Sequence, residues 1–196
     1  MSMVRTKILP APPVSIGEIQ RYAGASRSDA AEIRSLIESA LAEAEDHLEY
    51  KVCYTELECR IDGDVCDFGV FSLRSGALAK NLSGSRSVLL FAATVGVGLD
   101  RLITKQSALS PARALMLDSV GAERIEALCN AFCREYEKER GVSLKPRFSA
   151  GYGDLPLDTQ ADIFRTLSPG KNIGLFLNAS LSMSPSKSVT AFAGIK

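Results

Sequence analysis

The chain has 196 residues, 46% of them apolar and 23% charged, with 23 basic residues set against 23 acidic ones. That length suits one sizeable core, since domains commonly run to about 100–150 residues and single cores extend to roughly 250. The balanced charge gives no field to gather a nucleic-acid backbone or an anionic membrane surface, so a single domain over residues 1–196 is expected, with neither nucleic acid nor membrane among its partners.

The longest apolar run, Val88 to Val95, is eight residues, against the ~20 that cross a bilayer. Met1 to Pro13 carries two basic residues but lacks the apolar core and cleavage pattern of a secretory leader, which makes the cytoplasm the expected location. The first element begins at Ser15, where Ser15-Ile16-Gly17-Glu18 has capping-box spacing and Gly24 offers a stop. It is expected to turn Ile16, Ile19 and Tyr22 inward, and residues 1–27 read as a helical clasp. A second capping signal, Asp29-Ala30-Ala31-Glu32, opens a longer helix with Ile33, Leu36, Ile37, Ala40, Leu41, Ala44 and Leu48 on its inner face.

From Val52 the apolar period changes to two, with Tyr54, Leu57, Cys59 and Ile61 before Asp62-Gly63 and a return run from Val65 to Leu73. This predicts a β-hairpin with an irregularity near Thr55-Glu56. With Asp62-Gly63 as its two-residue turn, Cys59 would face Cys66. After breaks at Ser75-Gly76 and Ser83-Gly84-Ser85 comes the buried strand Val88 to Val95, then a tight turn at Gly96-Val97-Gly98 and an amphipathic helix with Leu99, Leu102 and Ile103. The turn lacks the third glycine of a dinucleotide fingerprint, because position 101 is arginine.

Ser110-Pro111 starts a long helix that Gly141 ends. A mid-helix glycine costs about 1 kcal/mol against alanine, so Gly121, among the small residues Ala114, Ser119 and Ala122, is expected to mark a close crossing with another backbone. Val142, Leu144 and Phe148 suggest a strand that Pro146 confines to an edge. Asp158 is placed to cap a helix with Ile163, Phe164 and Leu167, ended by Ser168-Pro169-Gly170, and Ile173 to Ile195 reads as two extended pieces divided at Ser184-Pro185-Ser186.

Five cysteines, at 53, 59, 66, 129 and 133, have no metal-site rhythm and read as reduced, mostly buried thiols. No G-x-S-x-G is present, and the single histidine, His47, lies among acidic residues of an amphipathic helix, so nucleophilic hydrolase chemistry has no support. The stretch that combines ligand-binding properties is Arg147 to Pro156. It offers the planar guanidinium fork of Arg147 for a carboxylate, glycines at 151 and 153 for close backbone approach, and the flat face of Tyr152. A glycine-rich connection with Arg147 in a surface ion pair is the plain structural alternative.

Read as Arg-x-x-x-Gly-Tyr with a proline four residues on, this loop resembles the S-adenosylmethionine-binding motif of the activation, or reactivation, domain of cobalamin-dependent methionine synthase. Ala114-Leu115-Met116-Leu117 through Glu126-Ala127-Leu128 is similar to that family's long helix, and Met183-Ser184-Pro185-Ser186-Lys187-Ser188-Val189-Thr190 to its Met-x-Pro-x-x-Ser-Val-Ser segment. The resemblance spans nearly the whole chain and is greatest to stand-alone versions of the domain. It implies that Arg147 holds the ligand carboxylate, that Ser149 and Gly151 bring backbone groups against it, that Tyr152 packs beside it, and that Glu126 lies near its amino group. The family's early aspartate has no match, Leu155 stands where a cysteine is often found, and the chain ends at Lys196 before a tyrosine-bearing strand, which implies weaker binding or a site completed by a partner.

The role so implied is accessory: the domain docks over an oxidised corrinoid held by a separate methyltransferase, most simply methionine synthase, and presents the methyl of S-adenosylmethionine while a flavodoxin-like donor supplies an electron. The cobalamin would belong to the partner. Two other expectations are a binding or assembly protein of such a system that has lost ligand binding, and an unrelated small-molecule enzyme using the same loop. The architecture expected is α+β, a bent, mainly antiparallel sheet flanked by helices, with the helices starting at 29 and 110 dominating.

Overall fold

The computed structural model describes residues 3–25 and 31–196. The capping signal at Asp29-Ala30 and the end of the clasp at 26–27 lie outside the described residues. A four-stranded antiparallel sheet has the order β1-β2-β6-β9, formed by Arg5–Ile8, Lys51–Glu58, Ser87–Thr94 and Ser188–Ile195. Along β6, Leu89, Phe91 and Ala93 join one apolar cluster while Val88, Leu90 and Ala92 join a second. Both faces of the strand are therefore covered, which is why its sequence is one continuous apolar run instead of an alternation.

The first face is covered by α1 (Ile16–Tyr22), α2 (Ala31–Ala44), α4 (Val97–Leu109) and α5 (Pro111–Arg140). Of these, α5 follows from its ends. The Ser110 hydroxyl accepts from the Arg113 N–H, Pro111 fills the first turn, and Gly141 at φ 64° closes the last turn with its N–H on the Glu137 carbonyl. Thirty residues give an axis of about 45 Å. Phe132 on this helix is fully packed between Phe91 and Tyr54, with ring centroids 5.2 and 5.1 Å away, and truncating such a residue to alanine costs about 3–5 kcal/mol. The second face carries α3 (Gly76–Leu82), α6 (Thr159–Leu167) and α7 (Pro169–Ile173), with the small sheet β3-β4-β5 formed by Arg60–Asp62, Val65–Asp67 and Ser72–Arg74. A two-stranded ribbon, β7 (Phe176–Leu177) with β8 (Met183–Ser184), precedes β9.

Several expectations shift. The hairpin is β3-β4, not the whole of 52–73: Asp62 pairs with Val65 and Ile61 with Cys66, so the turn is Gly63-Asp64, with Gly63 at φ 59°, and Cys59 does not oppose Cys66. No irregularity interrupts β2, where Thr55 and Glu56 pair in register with Leu90 and Leu89; the alternation slips because both faces of β2 are covered. Leu36 is 48% exposed and Leu48 lies beyond α2, after the 3-10 turn Glu45–His47. Val142 to Phe148 makes only the isolated bridges Leu144 to Ile195 and Phe148 to Phe192, flanking Pro146, which has no N–H to continue the ladder. Asp158 precedes α6 without a side-chain capping bond, and Ser168-Pro169-Gly170 at once begins α7 instead of a loop.

At Gly121 the neighbours are side chains and not a backbone: a Cβ there would lie 2.6 Å from Leu99 Cδ2 and 2.9 Å from Lys187 Cγ. The backbone approach occurs instead at Gly98, where a Cβ would lie 2.6 Å from the His47 carbonyl oxygen.

Candidate functional site

Glu126 and Asn130 lie one turn apart on α5 and so share a face. Arg147 is delivered opposite them because its neighbour Phe148 is fixed to β9 by two backbone bonds with Phe192, of 2.9 and 2.8 Å. The Arg147 guanidinium donates from Nη2 to Glu126 Oε2 at 2.7 Å and to Asn130 Oδ1 at 3.1 Å. Its Nη1 is sealed from solvent and, among the described residues, has no hydrogen-bond partner of ordinary geometry, although the guanidinium lies close enough to the buried Cys129 thiol to act on it. Cys129 and Cys133 also feel this charge, yet burial pushes their thiols up to about 12 and about 11, with Arg147 acting in the opposite direction. Near pH 7 both are neutral, and neither supplies the guanidinium with an anion.

Beyond Arg147 the chain folds on itself. The Tyr152 N–H donates to the Ser149 carbonyl, the Leu155 N–H to the Tyr152 carbonyl and the Gly151 N–H to the Leu155 carbonyl. Gly151 and Gly153 take φ of 83° and 60°, which an L side chain resists. Leu155 is buried at the base, while Tyr152 is 69% exposed and meets Phe148 edge-on at 5.5 Å. Asp154 anchors the loop to the start of α3: it accepts from the Ser75 hydroxyl, from Gly76 N–H at 2.8 Å and from Ala77 N–H at 3.2 Å. The Ser75 bond, then those amides, hold its carboxyl below the usual range.

Two clefts meet at Asn130 and Arg134, which line both. One, about 340 Å³, runs between α1 and α5 past Glu126 to Pro12, Pro13 and Tyr22; the other, about 360 Å³, reaches Arg147 and Leu144. The segment Pro12 to Ser15 is held by a buried pair inside α5. Arg124, 2% exposed, donates to Glu123 at 2.5 and 2.7 Å and to the carbonyls of Pro12 and Pro13 at 2.6 and 2.8 Å, while Glu123 Oε1 accepts the Ser15 N–H at 3.0 Å. Half the predicted capping box forms: Ser15 accepts from the Glu18 N–H, but the Glu18 carboxylate turns to Arg21 at 2.7 Å.

Of the five residues named from the sequence, Glu126 and Arg147 are brought into direct contact. Ser149, Gly151 and Tyr152 follow Arg147 on one closed loop, where the Gly151 amide is already used by Leu155. Asn130, Asp154 and the Glu123-Arg124 pair were not anticipated. For Asn130 a signal existed, its i+4 spacing from Glu126; Asp154 acts across 79 residues and has none. Among the described residues no three His, Cys, Asp or Glu gather as a metal set, and no helix is long and apolar enough to cross a membrane.

Helices stacked on an antiparallel sheet, with the Arg147 loop leaving its edge beside a long helix, define an α+β domain. No family model matches the chain, and no curated protein matches it. Among solved structures it is similar to the MetH reactivation domain bound to AdoHcy, with a TM-score of 0.72 and 16% identity, over 98% of this chain and 78% of that one. The likeness is one of fold.

Proposed function

We propose that this chain binds S-adenosylmethionine, and its demethylated form S-adenosylhomocysteine, and that it serves as an accessory module for reductive remethylation of a corrinoid held by a separate methyltransferase. Methionine synthase is the simplest such partner, with a flavodoxin-like electron donor and a cytoplasmic setting. The observation that carries this reading is the Arg147 guanidinium, paired through Nη2 to Glu126 and left with a buried, unpartnered Nη1. An orphaned buried donor costs about 1–3 kcal/mol, a penalty that a carboxylate oxygen would remove. The donor set therefore suits an α-amino acid, with Arg147 for its carboxylate and Glu126 for its ammonium. The shared fold with a domain whose structure holds AdoHcy supports the choice of ligand class.

S-adenosylmethionine, when bound, supplies an electrophilic methyl group on a sulfonium. The chain's own work is to bind, orient and exclude water: Arg147 and Glu126 fix the amino-acid end, and Tyr152 offers an exposed ring beside the loop. Titration calorimetry with S-adenosylmethionine, with and without the corrinoid methyltransferase, tests this directly. Binding is expected, and Arg147→Met should weaken it at least tenfold through loss of charge-assisted bonds. Absence of heat under both conditions refutes the reading, whereas partner reactivation that survives Arg147→Met points to an assembly role.

A further inference from the structure

The two groups assigned above to opposite ends of the ligand are, in the free protein, bonded to each other. Arg147 Nη2 lies 2.7 Å from Glu126 Oε2, with the Asn130 amide oxygen 3.1 Å from the same nitrogen. Arg147 keeps 22% of its side-chain exposure and Glu126 44%, so Glu126 is the more accessible partner. We infer that Glu126, Arg147 and Asn130 form a specificity latch that a lone ammonium does not open but that a ligand carrying both an anion and a cation on one carbon does. This rests on the S-adenosyl reading and states what the site selects within that class.

The reasoning is one of compensation. A ligand that brings only an ammonium takes Glu126 away from Arg147 and leaves a partly buried guanidinium without its anion, with a like charge nearby. A carboxylate alone releases Glu126, which is 44% exposed, to solvent at a smaller cost, so the exclusion falls chiefly on a lone ammonium. A zwitterion replaces one ion pair by two, so its entry is balanced. A ligand with neither charge leaves the pair closed. Asn130 is a positioning residue in this scheme: as the second acceptor on Nη2, it keeps the guanidinium plane in place when Glu126 turns to the ligand.

Three thioethers isolate the amino-acid end: S-adenosylhomocysteine, its decarboxylated form, and 5′-methylthioadenosine, which lacks that end altogether. With independent subsites each charge adds its own increment, and the decarboxylated compound falls midway on a logarithmic affinity scale. With a latch it binds no better than methylthioadenosine, and both bind about a hundredfold more weakly than S-adenosylhomocysteine, the scale of a lost charged hydrogen-bond pair. Asn130→Ala should weaken S-adenosylhomocysteine by about fivefold to tenfold while leaving methylthioadenosine unchanged, a ratio that general loosening of the fold does not produce. Asn130→Asp, which gives Arg147 a second anion, should relax the preference and let the decarboxylated compound bind tighter than methylthioadenosine. A decarboxylated compound that binds the wild-type protein more than about threefold tighter than methylthioadenosine overturns the latch and leaves the S-adenosyl reading standing. Failure of S-adenosylhomocysteine itself to bind overturns both.

Discussion

Replacing Arg124 by methionine would strand a carboxylate in the middle of the longest helix. Arg124 and Glu123 are 2% and 4% exposed at the side chain, and the guanidinium also donates to the carbonyls of Pro12 and Pro13. Methionine keeps most of the aliphatic stem, so the loss is electrostatic: Glu123 retains only the Ser15 N–H, and two carbonyls of the clasp lose their donors. Removing one partner of a buried pair costs about 3–5 kcal/mol, which for a chain of this size lowers the thermal midpoint by about 10 °C. The assay is a scanning calorimetry series on wild type, Arg124→Met and Glu123→Leu/Arg124→Met. The double variant removes the stranded charge and should recover most of the loss. A drop below about 2 °C in the single variant, or a double variant as damaged as the single, would refute the reasoning.

Gly98→Ala should destabilise by about 2 kcal/mol in urea titration despite alanine's helix propensity, because the new Cβ would meet the His47 backbone, which cannot swing aside as a side-chain tip would. Asp154→Asn should lower the melting midpoint at pH 7. The folded carboxyl of Asp154 is held below its ordinary value by Ser75 and the α3 amides, so its contribution is whole above the ordinary aspartate range, about pH 4, and the gap between variant and wild type should close as pH falls through the lowered folded value. Cys129 and Cys133, their thiols raised by burial to about 12 and about 11, should resist iodoacetamide at pH 8 in the native protein and react fully in guanidinium, as read by intact mass.

The parts of the fold that were legible are those specified by neighbours in sequence. The bounds of α5 follow from Ser110-Pro111 and Gly141, the place of β6 from its unbroken apolar run, and α1 from Ser15. The parts that were not legible depend on distant partners. Strand β1, in the segment read for a leader and as part of a helical clasp, is extended and not helical because it pairs with β2. Glu123 and Arg124 look like ordinary helix-surface charges until the proline segment covers them. For the site, Arg147 and its loop stood out by composition, and a resemblance named Glu126 as a ligand neighbour but not its contact with Arg147; Asn130 and Asp154 are polar residues whose importance lies wholly in what faces them. Leu36 shows the converse, an apolar residue on the right stripe that the described residues leave 48% exposed.

The Arg147 loop is closed by three of its own backbone hydrogen bonds and pinned to α3 by Asp154 before any ligand arrives. Its shape is thus settled during folding, and association has little backbone left to order. A small molecule held there should bind with only a modest unfavourable entropy, and a change such as Gly151→Ala should show itself first as a protein that folds less well, then as one that binds less well.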